Sequence, residues 1–422
     1  MMTKSKKNIK VLFYTMNWYP FEGSIQHIYR TVLKHLKERG YEITILTSIP
    51  YFLNGREERW ASYRGKAFIT EHREGIRTVR TFVLSPYFMR RFKVPIRIIN
   101  CISFAFSSLL AGLFIGKYDV ILTVSHPPLL IGLASFIMGK IKGCKYVYSL
   151  QDIYPDILRD LGMVKNGKIF NFLRKIELFI YEKAGKICVL SSQMADNLSQ
   201  KGINPEKIEL TPHFTDLNTI VPLSKQNPFA REYRLDSKFV VLFPGSVSYR
   251  SDLDTILESA KILSDEENIR FVFMERGELK DAFRRKAASR GLENMVFLPF
   301  QPAERFPQVL ASADVGLVSL DREFSAYSVP SKIYNIMASA RPVIAVVDEN
   351  SEVSRIVREA ECGLSVPPGN AGLLAERIRE LAVDKGKREE MGQNGRIFVE
   401  RYHDQTGICQ KYEQVICREI NI

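Results

Sequence analysis

The feature that most constrains this chain is a rhythm of short apolar runs, each followed by a helical stretch, which proceeds through the first half and restarts at residue 239. Residues 9–16 (IKVLFYTM) are almost continuously apolar, as a strand buried on both faces should be. Ile25, Ile28, Val32, Leu33 and Leu36 then recur at helical spacing, and Gly40 supplies a stop. The spacing predicts further strands at 42–47, 76–83, 119–125, 145–150 and 186–191. Strands separated in this way by helices form a parallel sheet with right-handed crossovers. Residues 214–238 are polar and broken by Pro222 and Pro228, and read as a linker. Strands follow at 239–243, 270–274, 295–299, 315–320 and 342–347. The expectation is an α/β chain of two Rossmann-like domains, 1–215 and 239–403, joined by 216–238, with a helical tail from about 404 to 422 packing back on the first. At 422 residues, two cores are what the length calls for.

The formal net charge of +13 favours anionic partners such as nucleotide phosphates or an acidic membrane face. Basic residues are dispersed, apart from Arg90, Arg91, Lys93 and Arg97, without the basic-aromatic runs of a nucleic-acid binder, so nucleic acid is not expected as a partner. The six cysteines are scattered, with no CxxC pair, which suits a reducing cytoplasm. The basic-then-apolar start lacks the length and the small-residue cleavage site of a signal peptide. Residues 98–115 are rich in Ile, Phe and Leu but interrupted by Asn100, Ser103, Ser107 and Ser108, and no stretch reads as an obvious spanning helix. Two readings compete there, a buried helix of the first domain and a helix at the inner membrane surface, and the serines favour the buried one.

Ligands of open parallel sheets bind beyond the carboxyl ends of the strands, so the loops there carry the candidate chemistry. After the first strand, Gly23-Ser24 open a helix whose amides suit an anion or a sugar oxygen. His126 follows the strand at 119–125, and Asp152 follows that at 145–150. Histidine could stabilise developing charge on a hydroxyl and aspartate could orient one, while the plainer readings are a backbone-satisfied loop residue and a helix cap. In the second half, Gly245-Ser246 end a strand and precede Arg250, and Lys280 follows the next one. Two cations on neighbouring loops could neutralise a pyrophosphate, or be solvated surface charges. Ser328, Pro330, Ser331 and Lys332 resemble a helix start that aims amides, a hydroxyl and an ammonium at one point. No clustered Asp/His group appears, so neither a metal nor another cofactor is expected.

These blocks, with YPFEG, QDIYPD, SSQMADNL, NPFAREYRL, FVVLFPGSVSYRSDLDTILESAK, SVPSKIYNIMASARPVIA and ECGLSVPPGN in this order, resemble family 4 retaining glycosyltransferases of the GT-B architecture. Within that family the chain is most similar to enzymes of bacterial exopolysaccharide and O-antigen assembly, such as colanic-acid and N-acetylfucosamine transferases. The resemblance implies two Rossmann-like domains whose parallel sheets face across a cleft, with the nucleotide-sugar held mainly by the second. It implies that the pyrophosphate meets Arg250, Lys280 and Ser331, with Lys332 nearby. The family's two glutamates, eight positions apart, are replaced by Tyr327 and Asn335, the latter where ribose hydroxyls are usually held. The implied function is sugar transfer, with retention, from a nucleotide-sugar to a lipid-linked or polysaccharide acceptor. The setting would be the cytoplasm or the inner face of the plasma membrane, with weak association to an anionic surface. The alternatives are a non-catalytic nucleotide-sugar binder or scaffold, motivated by the missing glutamates, and a nucleotide-sugar epimerase on the same fold.

Overall fold

The apolar runs become the strands of two sheets, seen in a computed structural model that describes residues 9–20, 23–51, 63, 65–85, 93–160, 162–277, 279–325 and 328–420. The chain forms two compact units, one running to Pro212 and resumed from Cys409, the other His213–Ile408. In the first unit the strands are β1 (Lys10–Tyr14), β2 (Glu42–Ser48), β3 (Phe68–Arg73), β4 (Ile76–Thr81), β5 (Val120–Val124), β6 (Lys145–Ser149), β7 (Lys186–Val189) and β8 (Ile208–Leu210). Their order is β3-β4-β2-β1-β5-β6-β7-β8, parallel throughout except for β3 against β4. The second unit contains β9 (Phe239–Ser246), β10 (Ile269–Arg276), β11 (Met295–Pro299), β12 (Val315–Ser319), β13 (Val343–Val346) and β14 (Gly363–Val366). These are all parallel, in the order β11-β10-β9-β12-β13-β14.

Both sheets are doubly wound. Strand order reverses between β1 and β5 in one and between β9 and β12 in the other, and such a reversal opens a crevice at the carboxyl ends. Every residue of β5 and β12 is buried, which explains why their sequences (VILTV, VGLVS) lack polar alternation. Side-chain caps fix where several helices begin. Asn166 accepts from the amides of Lys168 and Ile169, and Asp252 from that of Thr255.

The structure corrects three expectations. Residues 216–238, read as a linker, lie in the second unit and are packed: Pro228–Glu232 is a helix whose Phe229 and Ala230 are fully buried, and Lys225 pairs with Asp314. The strands β3, β8 and β14 were not anticipated. The helix Lys93–Phe114 is not the buried helix that was expected. Its stretch Ile96–Phe114 has the length and composition to cross a membrane, and one of its faces is exposed. The tail is helical over Gln405–Glu419, and from Cys409 it belongs to the first unit, where Tyr412 lies against Tyr29 and Glu413 meets His35.

Candidate functional site

In the second unit most of the residues predicted to meet the donor lie around the reversal point, with Lys280 beyond the neighbouring strand β10. Gly245 and Ser246 are the last residues of β9, paired in register with Glu275 and Arg276 of β10. Gly245 has a φ of +108°, a conformation open to glycine at little cost, and a Cβ added there would lie 3.9 Å from Nζ of Lys332. Nζ also stands 3.7 Å from the centroid of the Phe243 ring, so the ammonium rests on the carboxyl end of β9 against an aromatic face. Among the described side chains no carboxylate forms an ion pair with it. Burial alone lowers its pKa from 10.5 to about 7. A cation held this way is part-buried and, among the described side chains, has no ion-pair partner, the condition under which an arriving anion binds well.

Arg250 comes to the same end of the sheet. Its guanidinium donates to Ser328 Oγ at 3.1 Å and lies 5.5 Å from the Phe324 ring, while its carbonyl accepts from the Asp321 amide at 2.7 Å. The loop after β9 is thereby fastened to the loop after β12, across the reversal. On the other side, Gly277 has a φ of +125°, and any Cβ there would run into the backbone of Val247. The amide of Leu279 also donates to the Val247 carbonyl, at 3.3 Å, and sets Lys280 as the first residue of the helix Lys280–Ser289.

Gly277→Ala should therefore destabilise the second unit by about 2–3 kcal/mol through forced strain and loop displacement. Gly23→Ala should cost less, about 0.5–1 kcal/mol, because Gly23 is an extended N-cap (φ −147°) and what stands in the way is the end of the Gln26 side chain. Urea denaturation of the two variants makes the comparison.

The helix start expected at Ser331 is realised with less capacity than anticipated. Ser331 occupies the cap position of the helix Lys332–Ala338, but its side chain makes no capping bond. The amides of Ile333 and Tyr334 are already bonded to the carbonyls of Pro330 and Ser331. Asn335 has its side-chain carbonyl occupied by the Thr215 hydroxyl at 2.8 Å, so what it offers a ligand is its N–H donors. Tyr327 lies outside the described residues.

In the first unit, His126 is exposed at the carboxyl end of β5, and its carbonyl accepts from the Met16 amide at 3.3 Å. Asp152 is half-buried beyond β6. Its neighbour Gln151 accepts no slack: the amide N–H takes Ser125 Oγ at 2.9 Å and the side chain donates to the Tyr29 hydroxyl at 2.9 Å. Tyr29 continues to Ser149 (2.5 Å), and Ser149 to Tyr412 (3.2 Å), so the loops after β5 and β6 rest on a buried polar chain. Gly23 and Ser24 open the helix Ser24–Glu38 at the end of the β1 loop.

Sequence reasoning did not assemble a second cluster. Lys201 Nζ lies 2.8 Å from Asp156 Oδ2 and 2.7 Å from Glu177 Oε1, with all three side chains almost wholly buried. Burial raises the pKa of Glu177 from 4.5 to about 7, against the opposing pull of Lys201. The QDIYPD block contains Asp156, but nothing local signals a lysine 45 residues later.

Two doubly wound sheets, each with one reversal of strand order, define an α/β protein of two Rossmann-like units. The model described as "Glycosyl transferases group 1" matches residues 225–398, and "Glycosyltransferase Family 4" matches residues 25–219. The chain belongs to glycosyltransferase family 4. It is 27% identical over 265 residues to the glycosyltransferase WbjE of Pseudomonas aeruginosa, covering 62% of this chain and 66% of that protein. To the colanic acid biosynthesis glycosyl transferase WcaI of Escherichia coli K12 it is 25% identical over 383 residues, covering 88% and 92%. The crystal structure of Anabaena Alr3699/HepE in complex with UDP-glucose superposes with a TM-score of 0.70 at 14% identity, covering 97% of this chain and 100% of that one. The fold is GT-B, as expected.

Proposed function

We propose that this glycosyltransferase moves a hexosyl group from a nucleoside diphosphate-sugar to a hydroxyl of a lipid-linked or polysaccharide acceptor, with retention, in cell-surface polysaccharide assembly at the cytoplasmic side of the membrane. The observation that carries this is the placement of Lys332 over Gly245 with Arg250 on the adjoining loop, a paired cationic lock at the carboxyl end of β9. In the reaction the bond from the anomeric carbon to the diphosphate oxygen breaks and a bond to the acceptor oxygen forms on the same face. The acceptor proton passes to the departing diphosphate. Charge accumulates on the diphosphate, and Lys332, Arg250 and Lys280 offset it, so the chain itself supplies no nucleophile. Fixed cations in this role make a divalent metal unnecessary, and transfer should survive EDTA. His126 and Asp152, on neighbouring loops of the first unit, are assigned to orienting the acceptor hydroxyl.

Screening by thermal shift against UDP-, GDP- and dTDP-sugars tests the reading. A donor at 100 times its Kd should stabilise the chain by about 2.7 kcal/mol. No shift with any donor would overturn it. Asn335, with its carbonyl already engaged, gives substance to a second reading, a binder without turnover. That reading predicts the thermal shift but no transfer to any acceptor.

A further inference from the structure

The helix Lys93–Phe114 is built inside out. Its uncharged polar residues face the protein. Asn100, Ser103, Ser107 and Ser108 are all buried, with Ser107 Oγ donating to the Phe82 carbonyl at 2.8 Å and Ser108 Oγ 2.5 Å from the Tyr14 hydroxyl of β1. Phe104 and Ile96 are buried with them, but a second row of large apolar residues faces away. Ile98, Ile102, Phe106, Leu110 and Phe114 follow one another at four-residue spacing and are all exposed, Phe106 at 60% and Phe114 at 86%. The adjacent helix Leu130–Lys142 adds Ile137 and Ile141. A water-facing surface would have the opposite pattern, and isolated exposed apolar residues do not align in this way.

Charge identifies what covers the face. Between Gly75 and Gln151 the sequence holds ten Lys and Arg but one acidic residue, Asp119, which is taken up by the backbone amide of Lys10 at 2.9 Å. Arg97 is exposed at one end of the stripe, and Lys117 and Lys140 at the other. Lys142 Nζ caps the Leu113 carbonyl, 2.5 Å away, next to Phe114. An apolar strip whose own stretch of chain is basic, with exposed Arg97, Lys117 and Lys140 beside it, matches an anionic lipid surface, with the side chains in the acyl boundary and the cations among the headgroups. We infer that this helix lies in the plane of an anionic bilayer and docks the first unit on it. It does not span the membrane, because crossing would strip Ser107 and Ser108 of their partners Phe82 and Tyr14. The inference gives a place to the lipid-linked acceptor of the proposed function, but its test needs neither donor nor acceptor, so either can fail alone.

The full chain is sedimented with phosphatidylethanolamine–phosphatidylglycerol vesicles and with phosphatidylcholine vesicles at low and high salt. Binding should require phosphatidylglycerol and weaken with salt. Phe106→Ser combined with Phe114→Ser alters only exposed positions and should reduce partitioning by about tenfold or more, with circular dichroism unchanged. In a Phe114→Trp variant the added indole should be quenched by lipids brominated in the upper acyl chain. Wild-type protein left in the supernatant, equal binding by the double serine variant, or a protein dimer broken by that variant without vesicle binding would each overturn the inference.

Discussion

Replacing Lys332 by methionine should lower kcat/KM for sugar transfer by about 10²–10³-fold while making the unliganded protein more stable at neutral pH. The two effects have one origin. Methionine keeps an apolar stem over Phe243 but removes the charge that burial penalises. In the folded chain Lys332 titrates near pH 7, and in the unfolded chain near 10.5. Between those values the unfolded state holds a proton that the folded state does not, so stability rises with pH across that window. Below pH 7 the lysine is charged in both states and its burial penalty is felt in full. Methionine removes the penalty and flattens this part of the profile. Donor binding runs the other way. A diphosphate favours the ammonium, so above pH 7 binding should draw in a proton and the donor KM should climb with pH in the wild type but not in the variant. Arginine at 332 should not rescue, because a planar fork does not fit a site shaped for a point charge between a ring and Gly245. Kinetics from pH 6 to 9, with urea denaturation over the same range, read both halves.

Lys201→Met should destabilise the first unit by about 3–5 kcal/mol, the scale seen when a buried ion pair loses one partner. Asp156 and Glu177 would be left with no cation between them, Glu177 having no exposed side-chain surface at all. The folded pKa of Glu177, about 7, exceeds its unfolded value of 4.5. From pH 4.5 to 7 the folded chain therefore holds a proton the unfolded chain lacks, and the Glu177 contribution is lost as pH rises through that window. Removing Lys201 pushes the folded value higher, so the damage should deepen from pH 5 to pH 8. Adding Glu177→Gln to Lys201→Met should recover part of the loss at pH 8, since a neutral amide replaces one stranded carboxylate. Thermal melts of the wild type and the two variants at the two pH values check this. Because Asp156 opens the short helix after the Gln151-Asp152 loop, transfer activity should fall along with stability.

What could be read from the sequence tracks how local its causes are. The parallel strands were legible because burial on both faces leaves near-unbroken apolar runs, as in β1 and β9. β3 (FITEHR) was not, because an antiparallel edge strand with one exposed face carries no such run, and three-residue β8 is too short to show a pattern. Prolines and polar residues made 214–238 resemble a linker, although Phe229 anchors it in the core. In the helix Lys93–Phe114 the residue types were legible but their direction was not, since serine is ordinarily assigned to water. Among the residues proposed to meet the donor, the place of Lys332 at a helix start was legible. The engagement of Asn335 by Thr215, 120 residues away in sequence, was not.

On the proposed function, Lys332 at the end of β9, its pKa lowered by burial to about 7, takes up a proton when a diphosphate binds. Isothermal calorimetry of UDP, GDP and dTDP binding at pH 8, in two buffers of different ionisation enthalpy, measures this directly. The prediction is that one nucleotide binds the wild type with net proton uptake, and that Lys332→Met binds it at least about tenfold more weakly with the uptake gone. Equal affinity and equal proton uptake in the variant would contradict it.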